Sequence, residues 1–239
     1  MSDSTLQEKV AAIRERIATA CKRAGRDAGE VTLIAVSKTH TAEAIRAAFA
    51  LGITHFGENR VQEWEGKRAA IAELAGSWHL IGHLQSNKAA KAARFFHSVD
   101  SVDDFALAQR LDRTRSEMDQ PDKLRVLIEV RIAPEDSKSG VERAALPALA
   151  EQLSTLSHLD LQGLMCIPPF LENPEKVRPY FCELSGLKES LEARLGKKLP
   201  VLSMGMSQDF EVAIEEGATE VRVGTALFGT RIRLSNQIG

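Results

Sequence analysis

The sequence predicts a single (β/α)8 barrel, and three observations carry that reading. Eight short apolar runs each precede a segment of helical character. Every stretch between successive runs is long enough for the crossover that a parallel pair needs. No linker, low-complexity run or shift of composition divides the 239 residues, a length that α/β barrels commonly occupy as one unit. The expectation is one domain over 1–239, with a leading helix in 1–30 and the barrel over 31–230.

Residues 5–24 place Leu6, Val10, Ile13, Ile17 and Cys21 on one helical stripe with charges between them. Val31, Leu33, Ile34, Ala35 and Val36 form the first strand, apolar on both faces as in parallel sheets. A helix over 41–49 ends near Gly52. The second strand is expected at 53–56, with Gly57-Glu58-Asn59 breaking into a polar helix near 60–75. The third, at 78–81, runs into Gly82-His83-Leu84-Gln85-Ser86-Asn87-Lys88, where Ser86 is an expected N-cap for a helix reaching Arg94. The fourth is expected at 95–99, and Ser101-Val102-Asp103-Asp104 resembles a helix-opening cap box. Residues 124–130 form the fifth strand, followed by a loop over 132–140 and a helix over 141–156. The sixth, 159–165, closes on Cys166-Ile167-Pro168-Pro169 before a helix near 174–193. The seventh is expected at 200–203, with Gly205-Met206-Ser207 opening a helix that stops at Gly217. The eighth, 220–223, leads through Gly224-Thr225 into a last helical turn.

Composition narrows the function classes. A net charge of -2 and a pI near 6.3 give no electrostatic footprint of a nucleic-acid binder. No apolar stretch reaches membrane-spanning length, and the charges in 1–30 do not fit a signal peptide. Cys21, Cys166 and Cys182 form no CxxC pair and no disulfide framework. A reduced, cytosolic protein is expected.

The chemistry gathers at the carboxyl ends of the strands, where such barrels place their sites. Lys38 lies just past the first strand. Alone it reads as a solvated lysine at a strand end; walled by apolar neighbours, it is an imine-forming nucleophile. Ser203-Met204-Gly205-Met206-Ser207 and Arg222-Val223-Gly224-Thr225 combine glycine with a hydroxyl residue after strands seven and eight. Phosphate sites of such barrels often lie there. Each loop alone reads as a turn with an N-cap; both together favour an anion site. Closure sets strand one beside strand eight, so Lys38 and Arg222–Thr225 become neighbours. An amine beside a phosphate cradle suits a phosphorylated aldehyde or ketone, either pyridoxal 5′-phosphate or a sugar phosphate. Arg222 favours the first, since a guanidinium can face a pyridine nitrogen.

Several motifs then resemble one family. Ala35-Val36-Ser37-Lys38-Thr39, Phe56-Gly57-Glu58-Asn59, Trp78 to Lys88, Ser137-Lys138-Ser139-Gly140, Leu202 to Asp209 and Val221 to Gly229 resemble the pyridoxal phosphate homeostasis proteins. The resemblance spans nearly the whole chain. It implies a barrel of the alanine racemase N-terminal type (fold type III of pyridoxal phosphate proteins), as in bacterial-type ornithine decarboxylase. It further implies Lys38 as the internal aldimine, with Ser207, Gly224 and Thr225 on the phosphate. Arg222 would face the pyridine nitrogen, and Asn59 would lie near the ring. His83 departs from the family, which usually carries proline there.

A cofactor is not yet a reaction. An arginine at the ring nitrogen opposes its protonation and so weakens the electron sink. Racemisation needs a second acid/base on the opposite face, which the similar racemases take from a C-terminal β domain. This chain ends at Gly239 after the eighth unit, so that domain is expected to be absent. Its one tyrosine, Tyr180, lies in a helix beyond strand six and reads as packing or surface. The resemblance implies a carrier that controls pyridoxal phosphate and amino and keto acid levels, passing cofactor to apo-enzymes without established turnover. A monomer is expected rather than an obligate dimer. A weak amino-acid racemase and a Schiff-base aldolase on a sugar phosphate are the alternatives. His79 and His83 are expected to form no metal site, since no carboxylate or thiol cluster accompanies them in sequence. Lys88 and Lys138 sit in strand-end loops and read either as solvated lysines or as auxiliary amines that receive or transfer the cofactor. Met165 and Met206 either border the ring or pack the barrel mouth.

Overall fold

The structure, a computed structural model, describes residues 4–118, 122–133 and 139–229. The amphipathic stripe of the first segment forms helix α1 (Leu6–Arg23), whose N-cap Thr5 and Glu8 exchange hydrogen bonds in a capping box. The eight units follow in order. They are β1 (Thr32–Val36) and α2 (Ala42–Ala50), β2 (His55–Glu58) and α3 (Val61–Arg68), β3 (Ser77–Leu80) and α4 (Ala89–Phe95), and β4 (Ser98–Val102) and α5 (Phe105–Ser116). The second half is β5 (Leu124–Glu129) and α6 (Leu146–Ser154), β6 (Leu159–Met165) and α7 (Arg178–Leu195), β7 (Val201–Met206) and α8 (Phe210–Glu215), and β8 (Glu220–Val223) and α9 (Thr225–Phe228). The strands close into a barrel in sequence order, every pair parallel.

Closure is made by β1 against β8, where Leu33, Ile34 and Ala35 pair with Val221, Arg222 and Val223. Helix α1 lies across this seam and buries Val10, Ile13, Ile17, Ala20 and Cys21. Arg16 makes two bonds to Glu211 at 2.7 and 2.8 Å, and Arg23 reaches Glu215 at 2.6 Å, tying α1 to α8. Among the described residues, no helix is long and apolar enough to cross a membrane.

Several boundaries differ from the sequence expectations, each for a polar reason. Strand β2 takes in Glu58, because Ser37 and Lys67 both donate to Oε1 of its buried carboxylate. Strand β4 lies at 98–102 rather than 95–99. Asp100 and Ser101 are buried there, bonded by Ser98 and to the Gly82 carbonyl, so polar residues fit inside the barrel. Only Asp104 of the expected cap box caps a helix, accepting from the Leu107 amide at 2.8 Å. Ser86 is no N-cap: Ser86–Lys88 is a 3-10 turn, and α4 starts at Ala89 without a side-chain cap. Strand β7 continues to Met206, and α8 starts only at Phe210. There the Asp209 carboxylate accepts from the Met206 amide at 2.6 Å, holding Ser207 in the loop between them.

Strand β6 carries the tightest backbone approach. A Cβ added at Gly163 would stand 1.8 Å from the Val201 carbonyl oxygen of β7. Neither strand can retreat from a closed ring, so Gly163→Ala should cost roughly 3 kcal/mol or more. Thermal unfolding should register a Tm lower by about 6–12 °C. By contrast, Gly186→Ala in α7 meets nothing within 4 Å and should raise stability by up to about 1 kcal/mol.

Candidate functional site

The carboxyl ends of β1, β2, β7 and β8 surround a cleft of about 510 Å³. All six residues expected on a cofactor line it: Lys38, Asn59, Ser207, Arg222, Gly224 and Thr225. Lys38 is half-buried, two residues beyond β1. Arg222 is buried within β8, and its guanidinium is fixed by bonds of 2.7 Å each to Ser203 Oγ and the Cys166 carbonyl. Ser207 is not a helix cap; its hydroxyl accepts from the Ala226 amide at 3.3 Å, joining the loops after β7 and β8. A Cβ at Gly224 would come within 3.3 Å of Val36 Cβ, so these strand ends touch where the cleft opens.

The remaining wall is apolar, with Val36, Ile81 and Met206 inside and Ile167 and Phe170 at the rim. Those last two are exposed large apolar side chains, Phe170 by 73%. Asp209 also lines the cleft, and burial pushes its carboxyl above the usual range. One amine, two hydroxyls, one fixed guanidinium and apolar walls match a flat aromatic ring that carries an aldehyde and a phosphate.

Behind Lys38 lies a group of residues the sequence did not single out. Lys67 of α3 donates to the Ser37 carbonyl at 3.0 Å, and to Glu58 and Glu63 at 2.8 Å each. Glu63 also accepts from the Thr39 amide. Thr39 has φ +66°, the left-handed region that a β-branched residue seldom occupies. Burial raises the Glu58 carboxyl pKa, against the pull of Lys67. Burial acts the same way on Glu63, but its bonds from Lys67 and the Thr39 amide win and hold it low.

Comparison with known proteins agrees with this geometry. Residues 9–232 match the family model described as alanine racemase, N-terminal domain. The chain is 47% identical over 228 residues to a pyridoxal phosphate homeostasis protein of Pseudomonas aeruginosa, covering 95% of this chain and 96% of that one. One from Aquifex aeolicus is 45% identical over 224 residues, covering 94% and 97%. This chain belongs to the pyridoxal phosphate homeostasis protein family. The solved structure of PipY from Synechococcus elongatus with PLP bound matches with a TM-score of 0.84 and 40% identity, over 94% of this chain and 100% of that one.

The secondary candidates from the sequence are more scattered. Lys88 lines a neighbouring cavity of about 570 Å³ with Arg60, His83 and Gln85, and Asn59 is common to both spaces. Lys138 lies outside the described residues. Met206 lines the cleft, whereas Met165 is fully buried and does not. Tyr180 packs on the core from α7. His83 sits at the barrel mouth, 3.5 Å from Asp103.

His79 corrects the sequence reading, which gave it no carboxylate neighbours. It is buried inside the barrel, with Nδ1 3.2 Å from Asp100 and Nε2 3.0 Å from His55 Nδ1. Glu220 lies beside this pair and accepts from Arg125. Burial drives the Glu220 carboxyl up, aided by the Asp100 charge. Burial also opposes ionisation of Asp100, but the His79 and Ser98 contacts prevail and hold its pKa low. The Arg125 guanidinium, bonded to Glu220, already supplies a positive charge beside this cluster, which disfavours a metal.

Burial lowers the His55 pKa to about 4, with His79 and Arg125 acting in the same sense. A depressed histidine binds its proton more readily when unfolded, so its contribution to stability is present above pH 6.5 and is lost as pH falls toward 4. Discounted for a half-exposed ring, the loss is about 1–2 kcal/mol. Urea unfolding of wild type and His55→Asn at pH 7 and pH 4.5 should show wild type losing that much relative to the variant. An unchanged gap would reject the assignment.

Proposed function

We propose that this chain binds pyridoxal 5′-phosphate in the cleft and holds it through Lys38 as a carrier and regulator of the free cofactor. The carrying observation is the meeting of Lys38, Arg222 and the Ser207–Thr225 hydroxyl pair in one cleft, in a chain 40% identical to PipY with PLP bound. Lys38 supplies the amine for the cofactor's aldehyde. Ser207, Gly224 and Thr225 would hold its phosphate, Asn59 would lie by the ring, and Arg222 would face the ring nitrogen. When bound, the cofactor supplies an electron sink for carbanions.

The surrounding side chains weaken rather than exploit that sink. Arg222 is held rigidly by Ser203 and Cys166, so its positive charge stays in place and disfavours a proton on a neighbouring base. Racemisation also needs an acid/base pair across the ring. Among the described lining residues, Asp209 is the one carboxylic acid, and its carboxylate is engaged by the Met206 amide. Tyr180 is packed on α7. These features support a holder of the cofactor with no strong turnover. On this reading the protein works as a cytosolic monomer, and its partners are the apo forms of pyridoxal phosphate enzymes.

The purified protein should absorb visible light and be bleached by borohydride, with the cofactor's mass fixed on the peptide that contains Lys38. Lys38→Ala should do neither. A wild type that stays colourless with added pyridoxal phosphate would overturn the assignment. Ser207→Ala combined with Thr225→Val should weaken cofactor binding roughly 10–100-fold in an equilibrium titration, the loss expected for bonds to a charged group. L-Alanine incubated with the loaded protein in deuterated water should gain no α-deuterium at enzymatic rates, whereas rapid exchange would make it a racemase.

A further inference from the structure

Both peptide groups that flank Lys38 are held by one helix. The Ser37 carbonyl accepts from Lys67 Nζ, and the Thr39 amide donates to Glu63. Lys67 and Glu63 stand one turn apart on α3 and pair with each other. Lys67 also pairs with Glu58, so its ammonium directs three N–H donors at three acceptors. Its side chain is 13% exposed and that of Glu58 is fully buried. Glu58 Oε2 is buried without a partner among the described residues.

Burying such charges costs several kcal/mol per ion, and stability alone seldom accounts for an arrangement of this kind. The left-handed turn at Thr39 adds a cost of about 1–3 kcal/mol. The buried ions contact Ser37, immediately before Lys38, and the strain falls on Thr39, immediately after it. The strained turn is closed by the His40 amide on the Ser37 carbonyl, and Lys67 and Glu63 brace the peptides on either side of Lys38.

We propose that Lys67 is a positioning residue for Lys38: with Glu58 and Glu63 it clamps the two flanking peptides and so directs the Lys38 amine into the cleft. The proposal rests on the reading of Lys38 as the residue that holds the cofactor. Lys67, Glu58 and Glu63 do not line the cleft; they act through the backbone on either side of Lys38. Lys91 is the matched control, since it pairs with Glu65 at 2.7 Å on the outer surface.

The test compares wild type, Lys67→Met, Lys67→Arg and Lys91→Met as full-length protein. Two readouts use cofactor-free protein: hydrogen exchange at the Thr39 amide, and the pH profile of Lys38 acetylation by acetic anhydride, read by mass spectrometry. A third is the rate at which loaded protein yields pyridoxal phosphate to hydroxylamine. Lys67→Met should speed Thr39 exchange and cofactor loss about tenfold or more, the value of a charge-assisted bond. It should also shift the midpoint of Lys38 acetylation by about half a pH unit or more. Lys67→Arg should restore most of each change, and Lys91→Met should match wild type. Should Lys67→Met fail to fold, Glu63→Gln replaces it, with shifts in the same direction. Wild-type exchange and acetylation in the variant used would overturn the clamp. So would faster exchange with an unmoved acetylation profile, since the bonds would then order the loop without aiming the amine. A wild type that takes up no pyridoxal phosphate would sink the cofactor reading alone, and the two cofactor-free readouts would still decide the clamp.

Discussion

Closure of the barrel is the constraint on which everything else depends. A parallel sheet of eight strands leaves no edge only if β1 pairs with β8. That pairing is also what places Lys38 beside Arg222, Gly224 and Thr225. Helix α1 reinforces the same seam through Arg16 and Arg23. Fold stability and site assembly thus share one set of contacts.

The polar groups inside the ring divide into two regions with different logic. Near the carboxyl ends, Arg222 is held by neutral acceptors, Ser203 Oγ and the Cys166 carbonyl, so its charge is oriented without being neutralised. Deeper in the barrel, His55, His79 and Asp100 are bonded in a row, and Arg125 pairs with Glu220. Low dielectric makes each unmatched charge there expensive, and the mixture of acids, bases and histidines keeps the sum small. The first region leaves a charge lining the cleft; the second pairs its charges with one another inside the barrel.

Much of this was legible in the sequence. Apolar runs alternating with helical stripes give the barrel, and barrel closure brings Lys38 to the glycine loops. What was missed has a common cause. Glu58, Asp100 and Ser101 look like strand breakers because a pattern of apolar residues treats any polar one as exposed, whereas their partners come from neighbouring strands and loops. The Glu63–Lys67 spacing on α3 looks like an ordinary solvated i,i+4 pair. Only the fold shows Lys67 turned inward against Ser37. Ser207 read as a helix cap because strand β7 was ended too early; Met206 belongs to the strand, with its amide tied to Asp209.

The pairing of first strand with last has a consequence for how the protein comes into being. Chains emerge from the ribosome amino end first and compact as they lengthen. Lys38 appears well before Arg222 and Thr225, which line the same cleft. A nascent chain therefore carries Lys38 without a closed cleft around it until those later residues have been made. The cleft around Lys38 is completed in one step, when the eighth strand docks.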